Sequence, residues 1–277
     1  MTVARRVLAA AAALALTGAA APPPAPSRIM SMNQCTDMLL LELSPRARIA
    51  SVTYLARTVA PAASRGVPVN HGSAEEIVAQ KPDLILAGYF STPLTRRLAA
   101  RVGARLVEVK SATSFADIRA AVRQVGEAVG EPGRAERLLA DMDRKLAGLE
   151  ARRPARPVTL AAWSDGAVPG RRTLADEIIR RAGAINVAAQ ADDARYSTFG
   201  VEELLRADPQ VLLAGRGYTD RPALRRLGQE HPLVRRRWAG RTLSYREALF
   251  SCGVPASADA ALELADGLAR VAGSARP

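Results

Sequence analysis

Few side chains in this 277-residue sequence could recognise or transform another molecule. Of its two Trp, five Tyr and four Phe, Tyr54, Tyr89, Phe90, Trp163, Tyr218 and Tyr245 stand just past apolar runs that read as β-strands. Arg57, Arg216 and Arg246 fall in the same loops. Flat rings beside guanidinium forks suit contact with a bulky ligand carrying carboxylate or other anionic groups. The inventory for bond-breaking chemistry is thinner. His71 and His231 are the only histidines; they lie in different halves, in Asn70-His71-Gly72 and Glu230-His231-Pro232, and read as loop hydrogen-bonders. No HExxH, Walker, GxSxG or GxGxxG pattern occurs, so no catalytic residue is assigned. A bare zinc or manganese site needs three or four His, Cys or carboxylate ligands, and the chain is poor in the soft ones, so no metal ligand is assigned either. Cys35 and Cys252 leave three readings open, namely a disulfide, two separate buried thiols, or soft ligands for a bound metal chelate.

The elements that must hold these residues are organised by a duplication. Glu75 to Gly88 lies over Glu202 to Gly215 without a gap. Each copy reads as a short helix opening on a Glu pair, a proline that stops it, and a buried strand ending in Ala-Gly. Strand-like runs at Arg28–Met32, Arg48–Thr53, Leu84–Ala87 and Leu106–Val109 alternate with helical patterns at Cys35–Leu43 and Phe115–Val129, the latter opened by a Ser114/Asp117 capping box. The second half repeats the alternation, with strands at Val158–Ala162, Val211–Ala214 and Arg241–Ser244 and helices at Thr173–Ala182, Val201–Ala207 and Ser257–Val271. Alternation of this kind predicts an α/β protein with two lobes of parallel strands covered by helices. Between them, Gly133 to Arg153 carries Leu138, Leu139, Met142, Leu146 and Leu149 at helical spacing, a strut between the lobes. Ligands of open parallel sheets bind beyond the carboxyl ends of the strands, so two lobes meeting at those edges would share one aromatic-walled cleft.

The N-terminus and the charge narrow the function class. Arg5 and Arg6, the apolar stretch Val7–Leu16 and the small residues through Ala21 read as a signal peptide over residues 1–21, cut near Ala19 or Ala20. The apolar stretch is shorter than the roughly 20 residues of a spanning helix. No cysteine follows it to carry a lipid, so a soluble exported protein is expected. The net charge is +12 at pH 7, but it is made of scattered arginines with only Lys81, Lys110 and Lys145 as lysines. That is a solvated surface, not a nucleic-acid footprint.

Four stretches in order carry a resemblance: Arg28-Ile29-Met30-Ser31-Met32-Asn33, Gly72-Ser73-Ala74-Glu75-Glu76-Ile77-Val78, Lys81-Pro82-Asp83-Leu84-Ile85-Leu86, and Glu202-Glu203-Leu204-Leu205 before Pro209. They resemble the periplasmic binding proteins of ABC importers for cobalamin and ferric siderophores, from about Arg28 to Ala272. The resemblance implies the class III fold, two Rossmann-like lobes bridged by one long α-helix. On this chain that gives an N-terminal lobe at 28–131, the bridge at 132–154 and a C-terminal lobe at 155–277. It implies a monomer in the periplasm, with no catalytic activity and no resident cofactor. Such a protein takes a metal chelate (corrinoid, ferric siderophore or haem) between its lobes and delivers it to an inner-membrane permease. The family's permease-docking acids fall on Glu75 and Glu202; the expected ligand contacts are Tyr54, Arg57, Tyr89, Phe90, Trp163, Arg216, Tyr218, Tyr245 and Arg246. The alternative is an exported two-lobed enzyme, transferase-like, working in the same cleft.

Overall fold

Glu75 and Glu202 open helices that end alike, and those ends show the duplication in three dimensions. The computed structural model describes residues 24–88, 92–154, 156–163, 167–191, 196–198, 200–216 and 230–274. Helix α3 (Ala74–Gln80) begins with a complete capping box between Ser73 and Glu76 and stops at Lys81, φ 45° and ψ 59°. Its counterpart α9 (Val201–Ala207) stops at Asp208, φ 38° and ψ 57°. A proline follows each of these residues and disfavours the right-handed helical region for it. Each chain therefore leaves its helix through a left-handed residue that is not glycine, and enters β4 (Leu84–Gly88) or β10 (Val211–Arg216).

The first lobe contains β1 (Ile29–Ser31), α1 (Gln34–Leu43), β2 (Ile49–Thr53), α2 (Ala56–Val59), β3 (Val69–Asn70), α3, β4, α4 (Pro93–Arg101), β5 (Arg105–Val109) and α5 (Phe115–Ala128). Its strands form one parallel sheet in the order β3-β2-β1-β4-β5. After α6 (Pro132–Leu149) the second lobe contains β6 (Val158–Trp163), β7 (Ala167–Pro169), α7 (Leu174–Arg181), β8 (Ala184–Asn186), α8 (Ala188–Ala191), β9 (Tyr196–Thr198), α9 and β10. It continues with α10 (Pro232–Arg237), β11 (Thr242–Arg246), α11 (Glu247–Ser251) and α12 (Ser257–Ser274). The second sheet is parallel in the order β8-β6-β10-β11, matching β2-β1-β4-β5 strand for strand; β7 and β9 pair separately and antiparallel. The short β3, β7, β8 and β9 and the polar α4 carry too little apolar periodicity to be read from sequence.

The strut is α6, shorter than expected: it ends at Leu149 and a 3-10 turn covers Glu150–Arg152. Eighteen residues span about 27 Å. Its buried face, Ala135, Leu139, Met142, Leu146 and Leu149, joins a core cluster shared by both lobes, with Phe115 and Val125 on one side and Ile178 and Leu264 on the other. Ion pairs lace its outer face to α5 through Arg123 and Glu136 (2.7 Å), and to α12 through Lys145 and Asp259 (2.7 Å). Ser114 caps α5 by accepting from Asp117 N (3.2 Å), and the Asp117 carboxylate in turn accepts from Thr113 N (2.9 Å).

Candidate functional site

A cavity of about 290 Å3 opens at the carboxyl ends of β1, β4 and β5. The strand order reverses between β1 and β4, and such switch points are where open α/β sheets bind ligands. Three segments at or just past the ends of those strands form its wall: Met32-Asn33, Gly88 as the last residue of β4, and Lys110-Ser111-Ala112. Thr92, the N-cap of α4, and Thr95 in its first turn add hydroxyls, and Ser251 and Gly253 reach in from the second lobe. The cavity is therefore built by both lobes.

Local rules fix these walls. Asn33 caps α1, its Oδ1 accepting from Cys35 N at 2.8 Å. Its Nδ2 edge faces Gly88, where a Cβ would stand 3.2 Å away, so a larger residue at 88 would crowd the amide. Asp37, in the first turn of α1, is fully buried and accepts from Thr53 N (3.0 Å) and Thr53 Oγ1. Burial pushes its carboxyl above the ordinary range, against the hydrogen bonds from Ser31 and Thr53. It pins α1 to the end of β2, and so places Tyr54.

Cys35, on the cavity wall, is bonded to Cys252 of the second lobe, with the Cα atoms 4.9 Å apart. A cross-link over so long a loop stabilises a fold by about 2–4 kcal/mol. Here it also ties the lobes beside the cavity. Gly253 makes the approach closer: a Cβ there would lie 2.2 Å from Ala112 Cβ, so the second lobe's backbone rests directly on the first lobe.

The structure distributes the residues expected at the cleft unevenly. Tyr54 is 53% exposed and stacks on His71, ring centroids 5.4 Å apart and planes 18° apart. His71 was expected only as a loop hydrogen-bonder; its amide does bond Glu76 (2.9 Å), but its ring extends the Tyr54 face. Hydrogen bonds from backbone amides, that of Ser73 first, hold the Glu76 carboxyl below its usual range. Arg57 is exposed and donates to Val67 O at 3.0 Å, bracing its own loop. Trp163 must be corrected. It is the last residue of β6, 2% exposed, and packs with Trp238, Leu204 and Val168 in the second lobe's outer core. Tyr245 and Arg246 stand within β11, not beyond its end, and line a separate groove of about 390 Å3 between β11 and α12. Tyr245 packs on Phe250 (4.5 Å), and Arg246 pairs with Glu263 (3.0 Å). The physical reason is common to the three: each strand continues past its expected end, so a residue taken for a loop became part of a packed sheet. Arg216 closes β10; Tyr89, Phe90, Tyr218 and the leader at 1–21 lie outside the described residues. Glu75 and Glu202 are exposed in the first turns of α3 and α9.

Sequence reasoning missed the cavity's own residues. Asn33, Lys110 and Ser111 lie just past strands that are legible in the sequence, but an amide, a lysine and a hydroxyl in a loop are too common to stand out there as rings do. Ser251 and Gly253 had no signal beyond standing beside Cys252. Among the described residues no group of three or more His, Cys, Asp or Glu could hold a metal ion, and no helix is long and apolar enough to cross a membrane.

The profile of a family described as periplasmic binding protein matches residues 29–233. No match is found among curated protein sequences. Among solved structures, the haem-binding protein RhuT from Roseiflexus sp. RS-1, in its apo form, is 24% identical with a TM-score of 0.73, the match covering 89% of this chain and 99% of that one. A periplasmic haem-binding protein from Pseudomonas aeruginosa is 21% identical, TM-score 0.72, covering 91% and 95%. The vitamin B12 binding protein BtuF of Vibrio cholerae is 16% identical, TM-score 0.67, covering 89% and 98%. At these identities the likeness is one of fold.

Proposed function

Because the chain belongs to the periplasmic binding protein family, we propose that it is the capturing component of an ABC importer, holding a metal chelate between its lobes and handing it to an inner-membrane permease. The single observation that carries this reading is the cavity at the β1/β4 switch point, walled by both lobes. The chelate class, tetrapyrrole or siderophore, follows from the resemblance in the sequence and from what the similar structures are named for. No bond need be made or broken. Burial of the ligand's apolar faces contributes about 25 cal/mol per Å2 before the cost of association. The exposed Tyr54–His71 face is one such surface. Glu75 and Glu202 are the permease contacts, and export through the leader at 1–21 delivers a soluble monomer to the periplasm.

The test is a titration of the purified protein with haem, cobalamin and a panel of ferric siderophores, followed by the fluorescence of Trp163 and Trp238. Quenching that saturates at micromolar ligand or below is expected for one class. Quenching by none of them overturns the reading.

A further inference from the structure

We propose that Cys35 and Cys252 are positioning residues of the binding site: their bond fixes the second lobe's part of the cavity wall before cargo arrives, so affinity and the choice among chelates depend on the bond being closed. The inference rests on the reading of the protein as a chelate carrier and adds what sets the width of its site. Along the chain the lobes are joined through α6. Two rigid bodies joined at one place can both twist and part; a second covalent joint leaves them only rotation about the line through both. That second joint lies on the cavity wall, between the first turn of α1 and the residue that ends α11.

The two ends of the bond are anchored differently. Cys35 stands on a rigid base: its amide donates to Asn33 Oδ1 (2.8 Å), and Asp37, two residues on, holds Thr53 N (3.0 Å) at the end of β2. Cys252 is fully buried and lies between Ser251 and Gly253, the second lobe's two contributions to the cavity. Whatever holds Cys252 therefore holds both. Besides the bond, that segment is held by packing: a Cβ at Gly253 would stand 2.2 Å from Ala112 Cβ and 3.2 Å from Ile118 Cγ1, and Val254 is fully buried in the same core cluster. So small a set of contacts opens locally at far less cost than the whole fold. The bond forbids that opening, because it holds the two Cα atoms 4.9 Å apart. Ordering of the wall is then complete on folding and is not charged against binding. A wall that cannot retreat also rejects a cargo whose inserted part exceeds the cavity of about 290 Å3, where a yielding wall would admit it.

The experiment titrates haem, cobalamin, ferrichrome and ferric citrate into wild-type protein, Cys35→Ala combined with Cys252→Ala, and Gly126→Ala, at a temperature where circular dichroism shows all three folded. Gly126 packs on Ala135 at the α5–α6 contact and is not part of the cavity lining, so Gly126→Ala controls for lost stability alone. The double variant should bind the tightest probe about fivefold or more weaker than the wild type does, and its preference for that probe over the next should fall about threefold or more. Gly126→Ala should keep both values within twofold. Hydrogen exchange of residues 248–258 in the wild type, where Cys252 N donates to Ala248 O (2.8 Å) and Ser257 N to Val254 O (2.9 Å), gives a second measurement that needs no variant. Exchange there should be equally slow with and without the tightest probe. Unchanged affinity and preference in the double variant, an equal loss in Gly126→Ala, or exchange that slows tenfold or more on loading overturns the proposal while leaving chelate capture standing. A wild type that retains none of the four probes overturns chelate capture itself, and this inference with it.

Discussion

Two adjacent glutamates at the start of α3, Glu75 and Glu76, differ in surroundings. In the first lobe Glu76 is occupied locally: its carboxylate accepts from His71 N and Ser73 N, both at 2.9 Å, closing the start of α3. Glu75, one position earlier, is exposed in the first turn of the same helix, and Glu202 holds the same position on α9. A carboxylate there is stabilised by the helix dipole, by about 0.3–1 kcal/mol, yet projects to solvent, where it can meet a cation on a partner. Because both sit away from the cavity lining, reversing their charge separates docking from capture. Glu75→Lys combined with Glu202→Lys should abolish uptake of the bound chelate in cells carrying the permease, while affinity measured by titration changes less than twofold. A matching fall in affinity would place them in the binding site and remove the docking role.

At the scale of elements, what could be read in the sequence was whatever had enough length to show a period. The strut is visible because Leu139, Met142, Leu146 and Leu149 repeat at helical spacing, and all are buried. The duplicated helix-strand unit is visible because its Glu pair and proline recur in register, and the two left-handed exits at Lys81 and Asp208 are its geometric imprint. The site was less legible. Trp163 and Tyr245 looked like loop residues because their strands end one or two residues later than the apolar run alone indicates. The contribution of Ser251 depends on contact between lobes, which no local pattern encodes. Close contact between helices is equally hidden. Gly126 of α5 lies so near α6 that a Cβ would stand 2.5 Å from Ala135 Cβ. Gly126→Ala should therefore destabilise the protein by about 1–3 kcal/mol through overpacking, even though alanine favours an isolated helix. Adding Ala135→Gly should recover most of the loss. The check is the denaturant midpoint of both variants; a more stable Gly126→Ala would show that α5 and α6 are free to part.

Over the whole molecule, the two lobes are joined at three kinds of contact, and one of them is sensitive to pH. The disulfide and Gly253 hold the cavity side, and the common core runs through α6. Beside that core, Glu42 of α1 faces Lys145 and Arg134 of α6 and Asp259 of α12, so charges from both lobes and the strut converge. Lys145 is already shared between Asp141 (2.8 Å) and Asp259 (2.7 Å), which leaves Glu42 incompletely neutralised. Burial first, then repulsion from Asp259, raises its carboxyl to about 7 from an ordinary 4.5, with Lys145 and Arg134 opposing. A carboxyl raised in the folded state binds its proton more tightly there than in the unfolded chain. Its contribution to stability is complete below about 4.5 and is lost as pH climbs through about 7. The carboxyls held low, those of Glu76, Asp83, Asp117, Glu136 and Asp141, act in the opposite sense, but in a more acidic window. Between pH 5.5 and 8.5 the protein should therefore lose on the order of 1–3 kcal/mol of stability. Glu42→Gln, which keeps the shape and cannot ionise, should flatten that slope and be the more stable protein at pH 8.5. Denaturant unfolding at several pH values decides it: an unchanged slope in Glu42→Gln would mean that Glu42 is already ionised at neutral pH, and that the junction of α1, α6 and α12 is balanced without a proton.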